Sequence, residues 1–228
     1  MNITSRGLTQ AAGAAAAVAG TIFVAVQVNH PAEAAFDTQT TEWVVRCTAK
    51  AVMTVLALVG ITGMYLRQHR QSGPLGLVGF VVFAFGYVTL FSVEVIAAAV
   101  LPSLLDTNHG YVMDVVSAAA GGKPDGDIGS IQVVLDLAGA GYVLGGLLFG
   151  IALFRTGILP RWASALLAVS TVSTAALAVL PEAFNRPFAV PEGIALIGLG
   201  VALWRNPVDV RTTRSTEAAG AVLEPSVR

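Results

Sequence analysis

Residues 75–100 read LGLVGFVVFAFGYVTLFSVEVIAAAV, and Glu94 is the one charged side chain among them. Wound as a helix at about 1.5 Å per residue, a run of this length can cross the roughly 30 Å of hydrocarbon in a bilayer. Its apolar residues are continuous and do not alternate with polar ones, which favours a membrane helix over a barrel strand. The stretch therefore predicts a membrane span that contains an acidic group.

The whole chain has the composition of a membrane protein. Hydrophobic residues make up 55% and charged residues 12% of its 228 residues, against about 45–50% and about 25% in soluble domains. We predict an all-α, polytopic membrane helix bundle over residues 1–206, with outer loops at 29–43 and 102–130 and a disordered cytoplasmic tail at 207–228. Within the second outer loop, the segment from Leu104 to Ala120 is a candidate for a short interfacial helix over the bundle. The expected spans cover about 8–28, 44–66, 75–100, 131–154, 162–180 and 188–204.

The basic residues predict the orientation of these six spans. With both termini in the cytoplasm, the inner segments contain most of the arginines: Arg6, Arg67, Arg70, Arg155, Arg161, Arg205, Arg211, Arg214 and Arg228. The outer side then has only Arg46, Lys50, Lys123 and Arg186. This asymmetry agrees with the excess of positive charge on cytoplasmic loops, so we expect a multi-pass protein of the plasma membrane with both termini inside.

The amino terminus also has features of a secretory signal peptide. Arg6 precedes an apolar stretch, and Ala32-Glu33-Ala34 resembles a small-residue cleavage site. The apolar stretch exceeds the usual length of about 7–15 residues, and Pro31 separates it from that site. We therefore interpret it as the first span; cleavage would leave five spans and an extracellular amino terminus.

Three charged residues fall at nearly the same depth. Lys50 comes seven residues after Trp43, Glu94 eight residues before Pro102, and Asp136 six residues after Ser130. At the helical rise, all three lie roughly 9–12 Å below the outer ends of their helices. The spacing predicts that Lys50, Glu94 and Asp136 meet in one outer cavity.

Other polar residues are expected around the same cavity. Arg46 lies one turn from Lys50, and Gln132 lies one turn from Asp136, so each pair shares a helix face. The end of the first span and the start of the last add further candidates for substrate binding, Gln27, His30 and Glu192. A structural ion pair is the plainer interpretation of these charges, but one lysine between two carboxyl groups leaves a carboxylate that a pure ion pair does not need.

Acid–base chemistry is the function that this set favours. Glu94 and Asp136 are expected to act as acid and base, and Lys50 to tune them. A site reached through lipid suits a lipophilic small molecule, so we expect an isomerase or cyclase acting on an isoprenoid-like or polyketide-like substrate. A proton-coupled or cation-coupled transporter and an accessory membrane subunit remain open alternatives.

Several kinds of site and partner find no support in the sequence. The single cysteine, Cys47, excludes an intrachain disulfide and a cysteine pair for zinc or iron–sulfur. Nucleotide-binding motifs are absent, and the net charge of −1 gives no sign of nucleic-acid binding. We expect no cofactor and no metal; the oligomeric state is open.

Three short segments resemble a known group of proteins. They are Gln27-Val28-Asn29-His30-Pro31, Gly63-Met64-Tyr65-Leu66-Arg67 and Gly157-Ile158-Leu159-Pro160-Arg161-Trp162-Ala163. Together they resemble a broad group of uncharacterised six-span integral membrane proteins of high-GC actinobacteria. The resemblance implies a six-span topology and a plasma-membrane location, and it assigns no activity to any residue.

Overall fold

The computed structural model describes residues 4–178 and 185–207, and all regular structure in these residues is helical. The prediction of an all-α protein is confirmed for this part of the chain. The predicted tail and the last residues of the predicted fifth span lie outside the described residues. The helices are α1 (Ser5–Ala25), α2 (Thr40–Val95), α3 (Leu101–Ala119), α4 (Ile131–Thr156), α5 (Arg161–Ser173) and α6 (Asn185–Arg205).

Within residues 4–178 and 185–207, four helical stretches are long and apolar enough to cross a membrane: Ser5–Ala25, Thr40–Ala119, Ile131–Thr156 and Pro187–Arg205. The second contains 80 residues, which as one straight rod would measure about 120 Å. Two residues inside α2 are not helical, Gln68 and Gly73, and Gly73 has the positive φ of 59° that favours glycine. Pro74 follows directly and starts the next helical segment.

The chain reverses direction at this break. Tyr65 and Phe80 stack with their ring centroids 4.6 Å apart, although fifteen residues of straight helix would separate them by about 22 Å. We call residues 40–67 the first arm and residues 74–95 the second arm of α2. The arms lie side by side, so residues near the two ends of α2 come close together.

The outer segment 102–130 contains the helix expected over Leu104 to Ala120. It is α3, which covers Leu101–Ala119 and bends at Asn108, a residue with non-helical backbone angles. Pro102 lies in the first turn of α3, where its missing N–H is not needed. Beyond the bend, Val112, Val115 and Val116 are buried together with Phe36 and Trp43. Their three- and four-residue spacing forms one apolar helix face, which explains why this segment folds as a helix.

The helical segments form a ring in which small residues allow close approach. α1 packs on α6, α4 on α5, and α5 on α6, while the first arm of α2 packs on α1 and the second arm on α4. At the contact with α4, a Cβ on Gly86 would lie 2.5 Å from the backbone nitrogen of Tyr142. Close contact between small residues is the usual basis of helix association in membranes, where apolar burial gives little preference for protein over lipid. The ring encloses an apolar core that includes Ile61, Phe83, Phe149 and Leu199.

Replacing Gly86 by alanine is expected to destabilise the bundle. The added methyl group would collide with the backbone of α4, and overpacking of this kind costs about 1–3 kcal/mol. Gly139→Ala on α4 is the matched control, because a Cβ there meets nothing within 4 Å and alanine favours helix by about 0.5–1 kcal/mol. The measurement is thermal unfolding in detergent; equal midpoints for the two variants would contradict the close helix contact.

Candidate functional site

A cavity of about 240 Å³ lies between the two arms of α2, α3 and the start of α4. Its wall is mostly apolar and includes Phe36, Trp43 and Leu135. The charged side chains in the wall are Glu33, Lys50 and Glu94. Pockets for small ligands have this character, with an apolar lining and a few polar groups that orient the ligand, although ordinary ones hold about 300–1,000 Å³. We call this space the outer cavity.

Lys50 and Glu94 meet in the outer cavity because the arms of α2 are antiparallel. Lys50 Nζ lies 3.8 Å from Glu94 Oε1, which is close enough for charge attraction but too far for a direct hydrogen bond. The two side chains retain 14% and 16% of their exposure, so both remain partly accessible from the cavity. The geometry leaves room for the polar atom of a ligand to interact with both groups.

Glu94 lies immediately before an irregular stretch of helix. Residues Ile96–Val100 form a π-helical turn, which leads directly into α3. Pro102 has no N–H to donate to the carbonyl group four residues earlier, so regular α-helical hydrogen bonding cannot continue through this point. Single π-helical turns within α-helices occur frequently at functional sites. Here the turn connects the helix of Glu94 to the segment that covers the cavity.

The outer cavity is covered by α3 and by the segment before α2, which pack together as an apolar cluster with polar contacts at its surface. We call these two segments the cover. Phe36 and Trp43 pack with their ring centroids 5.4 Å apart, and both contribute to the cavity wall. His109 Nε2 lies within hydrogen-bond distance of Asp37 Oδ2, at 3.1 Å. The hydrogen bond from His109 holds the pKa of Asp37 below its usual value of 3.8. This contact connects α3 to the segment that precedes α2.

Asp136 does not join Lys50 and Glu94, and the expectation that all three meet is wrong for this residue. α4 turns Ile131 and Leu135 into the cavity wall. Asp136 is exposed on the neighbouring face, where its Oδ1 accepts a hydrogen bond of 2.9 Å from Gln132 Nε2. The carboxyl group that accompanies Glu94 in the wall is instead Glu33, in the short 3₁₀ helix Glu33–Ala35.

Arg46 is engaged in holding the end of α1 and does not line the outer cavity. Its guanidinium group donates hydrogen bonds to the backbone carbonyl groups of Val26, Val28 and Asn29, at 2.7 to 3.0 Å. It also pairs with Glu42, one turn earlier on the same helix. A cation that binds the last carbonyl groups of a helix satisfies acceptors without an intrahelical partner and complements the helix dipole. The arrangement gives Arg46 a structural role.

Gln27 and His30 lie in the turn after α1, next to the cover. The backbone carbonyl group of Gln27 accepts the N–H of His30 at 3.4 Å. The imidazole ring of His30 packs edge-on against Trp43, with centroids 4.6 Å apart, and its Nδ1 lies 2.9 Å from the carbonyl oxygen of Pro31. Neither side chain is part of the cavity wall. The ring contact with Trp43 connects His30 to the wall of the outer cavity.

Glu192 lies apart from the outer cavity, in the interior of the bundle. Its side chain is fully buried on α6, and Tyr87 on the second arm of α2 donates a hydrogen bond of 2.9 Å to its Oε1. Tyr87 precedes Glu94 by seven residues, which places this contact about 10 Å deeper than the Lys50–Glu94 pair. The expectation that Glu192 joins the outer cavity is therefore wrong. The described part of the chain thus has two polar sites at different depths.

No group of three histidine, cysteine, aspartate or glutamate side chains comes together as a metal site within residues 4–178 and 185–207. The chain was also compared with known proteins. No protein-family model, curated protein or solved structure matches it.

Proposed function

We propose that this is an integral membrane protein that binds a small, mostly apolar molecule in the outer cavity and converts it by proton transfer. The observation that supports this function best is the Lys50–Glu94 pair, which lies in a mostly apolar wall with both side chains partly exposed. The volume of about 240 Å³ suits a small molecule, or one end of a longer one that enters from the lipid. Isomerisation or cyclisation of an isoprenoid-like or polyketide-like compound fits these requirements.

Each polar group has a role in the proposed reaction. The Lys50 ammonium group donates a hydrogen bond to an oxygen atom of the substrate and stabilises negative charge that develops there. The Glu94 carboxylate takes a proton from the substrate and returns it at another position, so the substrate is rearranged without gain or loss of atoms. Glu33 provides the second carboxyl group, the role that the sequence had suggested for Asp136. The apolar wall excludes water, which strengthens the electrostatic interactions in the cavity.

The proposed setting is the plasma membrane, with six spans and both termini in the cytoplasm. The antiparallel arms of α2 support two separate spans within the stretch Thr40–Ala119. Residues 161–178, which combine α5 with the 3₁₀ turn Thr174–Ala178, number eighteen, within the range of about 17–25 for a span. The distribution of arginine residues supports the orientation.

Cysteine accessibility tests this topology. In a Cys47→Ala background, which removes the single native cysteine, we expect a membrane-impermeant maleimide to label Lys123→Cys on intact cells. Ser5→Cys and Gln71→Cys should react only after permeabilisation, because the proposed topology puts both residues on the cytoplasmic side. Labelling of Gln71→Cys on intact cells would overturn the six-span arrangement.

Lipid-extract mass spectrometry tests the proposed activity. A host that expresses the wild-type protein should contain a converted metabolite that is lost with Glu94→Gln, since removal of a general acid or base costs about 10²–10⁴-fold in rate. Asp136→Asn is the matched control, because Asp136 does not line the outer cavity, and its extract should equal that of the wild type. Membrane insertion of all three proteins is checked first.

Two outcomes would count against the activity. Identical extracts from wild type and Glu94→Gln at equal insertion would remove Glu94 from any conversion. Loss of conversion in Asp136→Asn with retention in Glu94→Gln would move the chemistry to the exposed face of α4.

A further inference from the structure

The Tyr87–Glu192 contact has features that neither helix packing nor the outer cavity explains. Glu192 is completely buried, yet its Oε2 has no hydrogen-bond partner among the described residues. Buried polar atoms in native proteins nearly always have a partner, and an exception calls for a specific explanation. Glu192 is also acidic, in a part of the bundle where charge is most costly.

Within the described part of the chain, the surroundings of Glu192 provide no compensating positive charge. Tyr87 is the titratable side chain in contact with it, and the ring of Tyr142 from α4 packs on Tyr87 at 6.2 Å. α1 approaches the neighbouring Gly193 with Gly20 and Val24. α5 meets α6 through the apolar Trp162 and Ala163, near Gly198.

Charged residues on the surrounding helices lie toward the helix ends or at the outer side of the bundle. Apart from Glu192, the described charged side chains on α1, α4, α5 and α6 are those of Arg6, Asp136, Arg155, Arg161 and Arg205. On α2 they are Glu42, Arg46, Lys50, Arg67, Arg70 and Glu94, of which Arg70 lies in the reversal between the arms. The nearest of them along the second arm is Glu94, itself an acid, about 10 Å farther out. A carboxylate at Glu192 would thus be a buried charge without a counter-ion among the side chains that the structure describes.

We propose that Glu192, together with Tyr87, is a proton-binding site in the interior of the bundle, separate from the outer cavity. An isolated carboxylate in an apolar interior is so unfavourable that the group takes up a proton instead. The Tyr87 hydroxyl group bonds to Oε1, which leaves Oε2 as the oxygen that holds the proton. A metal ion would require several oxygen ligands around it, and among the described residues Glu192 has only Tyr87 as a polar contact.

The location of the site determines when the proton can leave. The ionised form of Glu192 needs water or a cation close to it, and the complete burial of the side chain keeps solvent away from it. Release of the proton therefore requires that α6 and the second arm of α2 move apart. Tyr87 lies one turn below Leu90, which belongs to the wall of the outer cavity, so the shortest route for water runs through the floor of that cavity. The site thus links a proton to the opening of the bundle, whatever the outer cavity binds.

Infrared spectroscopy tests the site directly, because a protonated carboxylic acid has a carbonyl stretch that a carboxylate lacks. The full chain is reconstituted in lipid vesicles at neutral pH, and spectra are recorded for the wild type and three variants. We expect the wild-type band to be lost in Glu192→Gln and retained in Glu94→Gln, the same substitution in the outer cavity. Tyr87→Phe should keep the band but shift it to higher wavenumber, since the carbonyl oxygen loses its hydrogen bond.

The same spectra define the results that would overturn the proposal. A wild-type spectrum at neutral pH without the acid band would show that Glu192 is ionised. A band that persists in folded Glu192→Gln would assign the proton to another residue. If Glu192→Gln does not fold, the comparison of wild type with Tyr87→Phe decides alone: a shifted band supports the site, and an unshifted band contradicts it.

Discussion

The reversal of α2 between Gln68 and Pro74 determines where the polar groups of the outer cavity lie. Lys50 and Glu94 are 44 residues apart in sequence and belong to one continuous helical element, yet they come within 3.8 Å because that element turns back on itself. The turn depends on the positive φ of Gly73 and on Pro74, and it is tied to the far end of α4. Gln68 is buried there, donates to the carbonyl oxygen of Met64, and accepts a hydrogen bond from Thr156 Oγ1.

The two polar sites differ in how far their charged groups are buried and in whether an opposite charge lies beside them. In the outer cavity, acid and base are paired and partly accessible, so a ligand can compete for either group. At Glu192 the acid is enclosed and has one donor, Tyr87, so a charge there is not compensated. The same arm of α2 contributes to both sites, with Glu94 at the cavity and Tyr87 about two turns deeper. Movement of this arm would affect both at once.

Sequence reasoning located helices well, because the length and continuity of apolar runs determine spans, and it estimated the depth of Lys50 and Glu94 from residue counts. Depth alone does not determine which face of a helix a residue occupies. Asp136 lies near the predicted depth but on the wrong face, next to Leu135, which is the residue that lines the cavity. Glu192 was assigned to the outer cavity because the start of the last span was the only guide to its position. Its pairing with Tyr87 depends on how α6 packs against α2, and the sequence pattern within either helix does not predict that packing.

Glu33 could not be found from hydropathy, since it lies between spans and reaches the cavity only through the folding of the outer segment. The role of Arg46 was hidden for a similar reason. Its partners are backbone carbonyl groups about twenty residues away at the end of α1, and backbone acceptors leave no signature in a sequence. The apolar face of α3, by contrast, is present in the sequence itself as Val112, Val115 and Val116.

The central claim is that Lys50 and Glu94 form a ligand site and are not simply an ion pair that joins two helices. A double-mutant cycle on the free energy of unfolding, with Lys50→Met, Glu94→Gln and the double variant in the same detergent, measures their coupling directly. The separation of 3.8 Å and the partial exposure of both side chains predict a coupling energy below about 1 kcal/mol, as for other accessible ion pairs. A coupling energy of about 3 kcal/mol or more would contradict the account and identify the pair as a structural link between the arms of α2.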